Sequence, residues 1–168
     1  VSVNLSTGKA SKTGRGVSGI ENVYGGLGDD ELTGSDSNNF LNGRGGSNIL
    51  AGGKGDDTYI FDSAWEQNTI IETDAGGSDK LDFSALAIAL TFDFGSDGVS
   101  VTSGGRSVSY SGTDLENFLG GSGNDTFIFR DRAVITGLVD GREGQNSLDY
   151  SAYGTAVNVV LTGVSTLQ

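Results

Sequence analysis

The chain has 168 residues and a formal net charge of -12, from 22 acidic against 10 basic side chains, which makes nucleic acid a poor partner. With 29 glycines, no proline and 35% hydrophobic residues it has few long apolar runs for a compact two-layer core, so a stack of short strands, each burying one or two side chains, is favoured. The absence of Cys and His removes disulfides, structural zinc and most nucleophile-base catalysis, and leaves hard cations held by oxygen as the available site chemistry.

In chain order, Val1, Val3 and Leu5 alternate with Ser2 and Asn4 and predict a half-buried strand over 1–5. A glycine-containing loop follows, whose Lys9, Lys12 and Arg15 are read as solvated. A strand at 20–24 then leads into GGLGDDELT, GSDSNNFLN, GRGGSNILA and GGKGDDTYI, four nonapeptides from Gly25 to Ile60 in one register. Their first residue is Gly25, Gly34, Gly43 or Gly52, their sixth Asp30, Asn39, Asn48 or Asp57, and their eighth Leu32, Leu41, Leu50 or Tyr59. Short strands are expected near 31–33, 40–42, 49–51, 58–61, 69–72 and 80–83, then 90–94, 99–103, 107–111 and 116–119. A fifth full nonapeptide, GGSGNDTFI, starts at Gly120, with strands near 126–130, 133–138, 147–150 and 157–161. Only 63–67 and 84–89 offer weak, one-turn helical candidates. The apolar run from Ala85 to Leu90 is too short to cross a bilayer, and no signal peptide is visible, so a mature or excised segment is expected.

The pattern recurs along the chain. Ile20 aligns with Leu115 and LDFSAL (81–86) with LDYSAY (148–153), at offsets that differ by about three nonapeptides. Val157, Val159, Leu161 and Thr162-Gly163 repeat Val1, Val3, Leu5 and Thr7-Gly8. The expected organisation is one β-solenoid built from a duplicated unit: 1–84 with the tandem nonapeptides, 85–156 with one full and one degenerate copy, and 157–168 beginning a third.

The repeat has a chemical reason. Glycines at positions one, two and four permit positive φ and let carbonyls turn inward, the sixth-position oxygen converges on the same point, and the eighth residue faces the interior from mid-strand. Calcium takes about six to eight oxygens from carboxylates and carbonyls alike, so two loops stacked one coil apart can enclose an ion. Two nonapeptides make one coil. Stacking then pairs Asp30 with Asn48, Asn39 with Asp57, Asp57 with Asp79 through the loop 74–79, and Asp125 with Asn146 through the loop 141–146. The candidate ligands are Asp30, Asn39, Asn48, Asp57, Asp79, Asp125 and Asn146, with the backbone carbonyls of Gly25, Gly28, Gly34, Gly43, Gly52, Gly55, Gly77, Gly120, Gly123 and Gly141. Asn39, Asn48 and Asn146 lower the ligand charge, and Ser35, Arg44 and Arg142 replace the second glycine, so the Asp57 and Asp79 site ranks first and the Asp125 site second.

These nonapeptides resemble the RTX family, the repeats-in-toxin or hemolysin-type calcium-binding proteins. GGLGDDELT, GGKGDDTYI and GGSGNDTFI match its motif in full, and LDFSAL and LDYSAY are similar to spacers between RTX blocks of very large bacterial surface proteins. The resemblance implies an all-β, right-handed parallel β-roll with several Ca2+ ions in its turns, with room for short antiparallel hairpins between blocks. It also implies type I export and folding outside the cell.

The leading expectation is a non-enzymatic, calcium-binding structural module of a secreted adhesin, surface layer or filament that joins copies of itself head-to-tail. One rival is the export and folding module of a secreted protease or lipase, although neither HExxH nor GxSxG occurs in this chain. The other is a carbohydrate-binding or epimerase-associated module. Trp65 is expected as a wedge at the core edge, with sugar stacking as the alternative. Glu21, Asp93 and Glu116 are expected at the surface or in turns, not as a glycosidase pair. Arg130 and Arg132 are expected in a solvated loop.

Overall fold

The computed structural model of the chain describes residues 1–72 and 77–160. Among the described residues there are sixteen strands, in two sheets, and no helix. One sheet holds β1 (Ser2–Asn4), β2 (Lys9–Ala10), β4 (Glu31–Thr33), β6 (Ser47–Ala51), β8 (Gln67–Ile71), β10 (Thr91–Gly95), β11 (Gly98–Ser103), β12 (Arg106–Ser111), β14 (Thr126–Phe129) and β16 (Ser147–Asp149), in the order β16-β14-β10-β11-β12-β8-β6-β4-β1-β2. The other holds β3 (Asn22–Tyr24), β5 (Phe40–Asn42), β7 (Thr58–Ile60), β9 (Asp79–Asp82), β13 (Leu115–Leu119) and β15 (Val139–Asp140), in the order β15-β13-β9-β7-β5-β3.

Each nonapeptide supplies one short strand and one glycine-rich turn, so successive strands alternate between the sheets and each pairs in parallel with the strand one coil on. Period-2 geometry turns the eighth residue inward between two outward neighbours. The result is a continuous inner ladder on the six-stranded sheet, from Val23 through Leu41, Tyr59, Leu81 and Phe118 to Val139. On the facing sheet Leu32, Leu50 and Ile70 stack in register. Leu32, Leu41, Leu50, Tyr59 and Leu81 are fully buried. This is the expected parallel β-roll.

The expected antiparallel hairpins form as well. After β9 the chain runs through the meander β10-β11-β12, whose outer strands join the roll in parallel, β12 to β8 and β10 to β14. Its second turn, Gly104-Gly105, has φ of 55° and 87°, the doubly left-handed conformation that two-residue hairpins require and that glycine adopts without strain. Three strands thus lie between β8 and β14 in one sheet where β9 alone lies between β7 and β13 in the other. Large rings occupy the space this creates: Phe61 stacks on Phe83 at 4.4 Å, Phe92 on Phe127 at 4.6 Å, and Phe94 meets Phe118 at 4.9 Å and Phe129 at 4.8 Å.

Several expectations change. Trp65 is not an edge wedge: it is sealed in the core against Phe61 and Phe83, which leaves no face for a sugar. The strand expected over 133–138 is replaced by a turn, closed by the Ala133 N–H to the Arg130 carbonyl at 3.0 Å with Arg132 at φ 67°, and extended pairing resumes only at Val139. Residues 157–160 form no strand, and 161–168 lie outside the described residues. β2 was not expected, since Lys9-Ala10 carries no alternation; it pairs antiparallel with β1 through Val3 and Ala10. LDFSAL and LDYSAY lie in opposite sheets, with Leu81 buried in β9 and Leu148 40% exposed in β16. Both end in the same turn, in which the Ser84 or Ser151 N–H donates to the side chain of Asp82 or Asp149.

With calcium present, Leu50→Ala should cost about 2–5 kcal/mol through lost contacts and a cavity in the ladder. The adjacent Ile49→Ala, whose side chain faces outward and is 44% exposed, should shift stability by less than about 0.5 kcal/mol. Denaturant midpoints compare the two; equal shifts would mean that the inner ladder does not hold the roll.

Candidate metal centre

The sixth residue of each nonapeptide stands at the junction of turn and strand, where its side-chain oxygen accepts a backbone N–H, from the preceding coil at Asn48, Asp57 and Asp125 and from its own loop at Asp30 and Asn39. In the turns entering the ten-stranded sheet, Asp30 N–H donates to Asn48 Oδ1 at 2.9 Å, and Asn48 Nδ2 donates to Asn68 Oδ1 at 2.9 Å. The amine of Val1 pairs with Asp30 Oδ1. On the opposite side, Asn39 N–H donates to Asp57 Oδ1 at 2.7 Å, Asp57 N–H to Asp79 Oδ1 at 2.8 Å, and Asp79 N–H to Glu116 Oε2 at 2.7 Å. Further along, Leu90 N–H donates to Asp125 Oδ1 at 2.9 Å and Asp125 N–H to Asn146 Oδ1 at 2.8 Å. The structure therefore brings together all four stacked pairs. Asp30, Asn39, Asn48, Asp57, Asp79 and Asp125 are buried, while Asn146 is exposed at the last coil.

Glycine at the first position is a packing requirement. A Cβ on Gly25, Gly34, Gly52 or Gly120 would land on the sixth side chain of its own loop. The same Cβ meets the carbonyl oxygen of the next coil's first residue: Gly43 O for Gly25, Gly52 O for Gly34 and Gly141 O for Gly120. Gly55 O lies against Gly77, the Gly28 backbone under Gly46, and Gly123 O under Gly144. At the second position, Arg44 and Arg142 adopt the left-handed conformation, with φ of 60° and 56°, where the fourth nonapeptide has Gly53. Their N–H groups donate to Asn42 Oδ1 and Asp140 Oδ1.

Two carbonyls of the candidate set already have protein donors. Gly34 O accepts the Ser6 N–H and Gly141 O accepts Asn146 Nδ2.

One cluster has no compensating charge. Carboxylate oxygens of Asp57, Glu72 and Asp79 all lie within 4.8 Å of one another, and all three residues are buried. Glu72 Oε1 accepts the Tyr59 hydroxyl proton, and that hydroxyl oxygen accepts the Gly52 N–H at 2.6 Å. Asp57 Oδ2 and Glu72 Oε2 are buried without any hydrogen-bond partner. Among the described residues no basic side chain pairs with the three. Burial, reinforced by neighbouring carboxylates, pushes Asp57 up to about 7, Glu72 to about 8 and Asp79 to about 6, and burial also raises Asp125. Orphaned buried carboxylate oxygens facing one another are the environment a divalent cation relieves, so the residues fit calcium.

Sequence reasoning missed Glu72, Asn68 and Glu116. The coil offset grows from 18 at Asp30 and Asn48 to 20 at Asn48 and Asn68 and 22 at Asp57 and Asp79, so a strict period of nine steps past them. Glu116 is not a free surface acid, because it ends the Asn39-Asp57-Asp79 column. Asp93 and Arg130 form an ion pair with each other instead of being separately solvated.

Residues 16–59 match the RTX calcium-binding nonapeptide repeat in four copies. That block is an RTX calcium-binding repeat. No curated protein and no solved structure matches the chain. RTX nonapeptides bind Ca2+, and their number in this chain implies several ions. The full nonapeptide at Gly120 lies beyond the matched residues and reproduces the geometry of the first, with Asp125 Oδ2 accepting the Gly121 N–H as Asp30 Oδ2 accepts that of Gly26.

The raised carboxyls set a pH dependence for the metal-free chain. Folded-state values above the ordinary 3.8 to 4.5 mean that the fold binds protons more tightly than the unfolded chain, so stability falls as pH rises from about 4 through the folded values of about 6, 7 and 8. In chelator, the residual β signal read by circular dichroism should therefore be smaller at pH 8.5 than at pH 5. A signal that rises with pH over this window would contradict the uncompensated cluster.

Proposed function

We propose that the chain is a calcium-rigidified structural module of an extracellular bacterial adhesin, surface-layer or filament protein. The observation that carries this reading is the column of Asn39, Asp57, Asp79 and Glu116, a register of oxygen side chains one coil apart whose central carboxylates lack any counter-charge. Calcium bound there supplies positive charge and ties loops of successive coils together. Asp57 with Asp79 would hold one ion, and Asp125 with Asn146, Asp30 with Asn48, and Asn39 with Asp57 are the further candidate pairs. Backbone carbonyls of the first and fourth residues of their loops would complete each set.

Metal binding and folding are then one process, because the loops converge only in the coiled state. A site whose dissociation constant is a hundredfold below the free calcium concentration adds about 2.7 kcal/mol. Several such sites offset the ordering entropy of a glycine-rich acidic chain.

Head-to-tail joining of copies is part of the proposal. At the β15/β16 end the last coil is thinly covered, and a cavity of about 510 Å³ is lined by Phe127, Val139, Leu148, Tyr150 and Val159. A second copy bringing its open edge strand β3, with Val23 inward, would extend the inner ladder beyond Val139 there. No helix among the described residues is long and apolar enough to cross a membrane.

Circular dichroism tests the coupling: chelator should leave the chain largely disordered, and millimolar calcium should generate β signal. Equal β content in both conditions would overturn the calcium-dependent module. For assembly, sedimentation in calcium should show mass rising with protein concentration, and a monomer at the highest concentration would remove the head-to-tail part.

A further inference from the structure

We propose that Glu72 is a third carboxylate ligand of the calcium site built on Asp57 and Asp79, and that the Tyr59 hydroxyl fixes its orientation. This rests on the calcium reading above and adds to it a residue that the nonapeptide pattern does not contain.

Strand register locates the position. Ala51 pairs with Ile71, so Glu72 follows β8 as Gly52 follows β6, and it stands where the repeat has its first glycine. In the regular loop that place admits no side chain, since a Cβ on Gly52 would come within 2.7 Å of Asp57 Cγ and 2.8 Å of Asp57 Cβ. In the longer loop that ends at Asp79 the place carries a glutamate, 7% exposed, directed at the carboxylates of the two stacked aspartates. Burying a carboxylate beside two others is costly unless something compensates it. The Tyr59 hydroxyl satisfies Oε1 alone, while Glu72 Oε2 and, on a residue 1% exposed, Asp57 Oδ2 remain without partners. Two orphaned buried oxygens on carboxylates this close together indicate a shared ligand of opposite charge.

Tyr59 is placed for a positioning role. The other eighth residues of the tandem block are Leu32, Leu41 and Leu50, which fill the core equally well. Only Tyr59 adds a hydroxyl, held by the Gly52 N–H and committed to Glu72. It holds Oε1 and leaves Oε2 free to face the aspartates. The other candidate pairs, Asp30 with Asn48, Asn39 with Asp57, and Asp125 with Asn146, each offer one carboxylate and one amide. Here the ligand charge is threefold, and in oxygen sites affinity follows ligand charge. This site should fill first.

Calorimetric calcium titration of the whole chain, paired with terbium luminescence excited through the aromatic rings, tests the assignment. The unaltered chain should show one site at least tenfold tighter than the rest. Glu72→Gln, nearly the same size, should weaken that site at least tenfold and reduce the terbium emission, while Glu31→Gln, exposed on the outer face of β4, leaves it unchanged. Tyr59→Phe should weaken the same site less, about threefold, and a tightest site unchanged in this variant overturns the positioning role.

If Glu72→Gln keeps the tightest constant and the stoichiometry, Glu72 serves only as a partner of Tyr59 and the ligand assignment is overturned, with the calcium module intact. If the unaltered chain takes up no calcium, both readings fall together. Should Glu72→Gln not fold at saturating calcium, Glu72→Asp retains the charge but withdraws the oxygens by one methylene. An unchanged tightest site in that variant equally overturns the assignment, and a weakened one supports it.

Discussion

The roll depends on one recurring hydrogen bond, from the backbone N–H of a loop's sixth residue to the side-chain oxygen of its equivalent one coil on. It joins Asp30 to Asn48, Asn39 to Asp57, Asp57 to Asp79 and Asp125 to Asn146. The inner ladder cannot set axial register alone, because apolar contacts are non-directional. A buried N–H with one available acceptor fixes the coil to the residue. That bond needs an oxygen but not a charge, which separates two requirements that the sequence motif combines. Aspartate and asparagine are equivalent for register and different for cation binding.

This distinction changes the meaning of the asparagines. From sequence, Asn39, Asn48 and Asn146 look like weakened versions of an aspartate site. In the structure Asn48 and Asn146 keep the register bond through Oδ1, whereas Asn39 makes it through its backbone N–H to Asp57 and turns Oδ1 to the Ser35 N–H; all three use the Nδ2 donor on nearby oxygens. Asn39 reaches the Glu21 carbonyl, Asn48 the Gly45 carbonyl and Asn68 Oδ1, and Asn146 the carbonyls of Gly141 and Glu143. An amide thus supplies from within the chain part of the positive potential that an aspartate loop must obtain from a cation. The block divides into loops that close on themselves and loops whose carboxylates stay open, of which Asp57 and Asp79 are the clearest.

The regular part of this arrangement was legible before any coordinates. Period-nine phasing gave the strands from β3 to β7 and their alternation between sheets, because glycine, oxygen and apolar residue each have one physically permitted place in a coil. The alternating segments at 90–94, 99–103 and 107–111 gave the meander strands, and the aligned loops gave every stacked pair. What escaped is what departs from the period. Glu72 and Asn68 fall where the coil lengthens to 20 residues, so counting by nine no longer points to the structural equivalent. Glu116 is reached only after the meander, 37 residues beyond Asp79. Lys9-Ala10 and Val139-Asp140 are strands made by their neighbours' pairing, not by their own pattern. The burial of Trp65 depends on Phe61 and Phe83 closing around it, a tertiary fact with no local signature.

The irregular coils also explain where the uncompensated charge sits. Asp57, Glu72 and Asp79 lie where the leucine ladder of the tandem block gives way to the aromatic core around Phe83, Phe92 and Phe127, and where the extra strands β10 to β12 widen one sheet against the other. Each register bond fixes one coil to the next, but the coils at this junction, 20 and 22 residues long, depart from the 18-residue period of the tandem block. A cation held by residues on both sides of the junction adds a constraint there that neither sheet pairing nor apolar packing supplies. With metal bound as proposed, the concentration of carboxylate charge at the least regular coil would tie the two parts of the core together, and without it the same coil is open to mutual carboxylate repulsion.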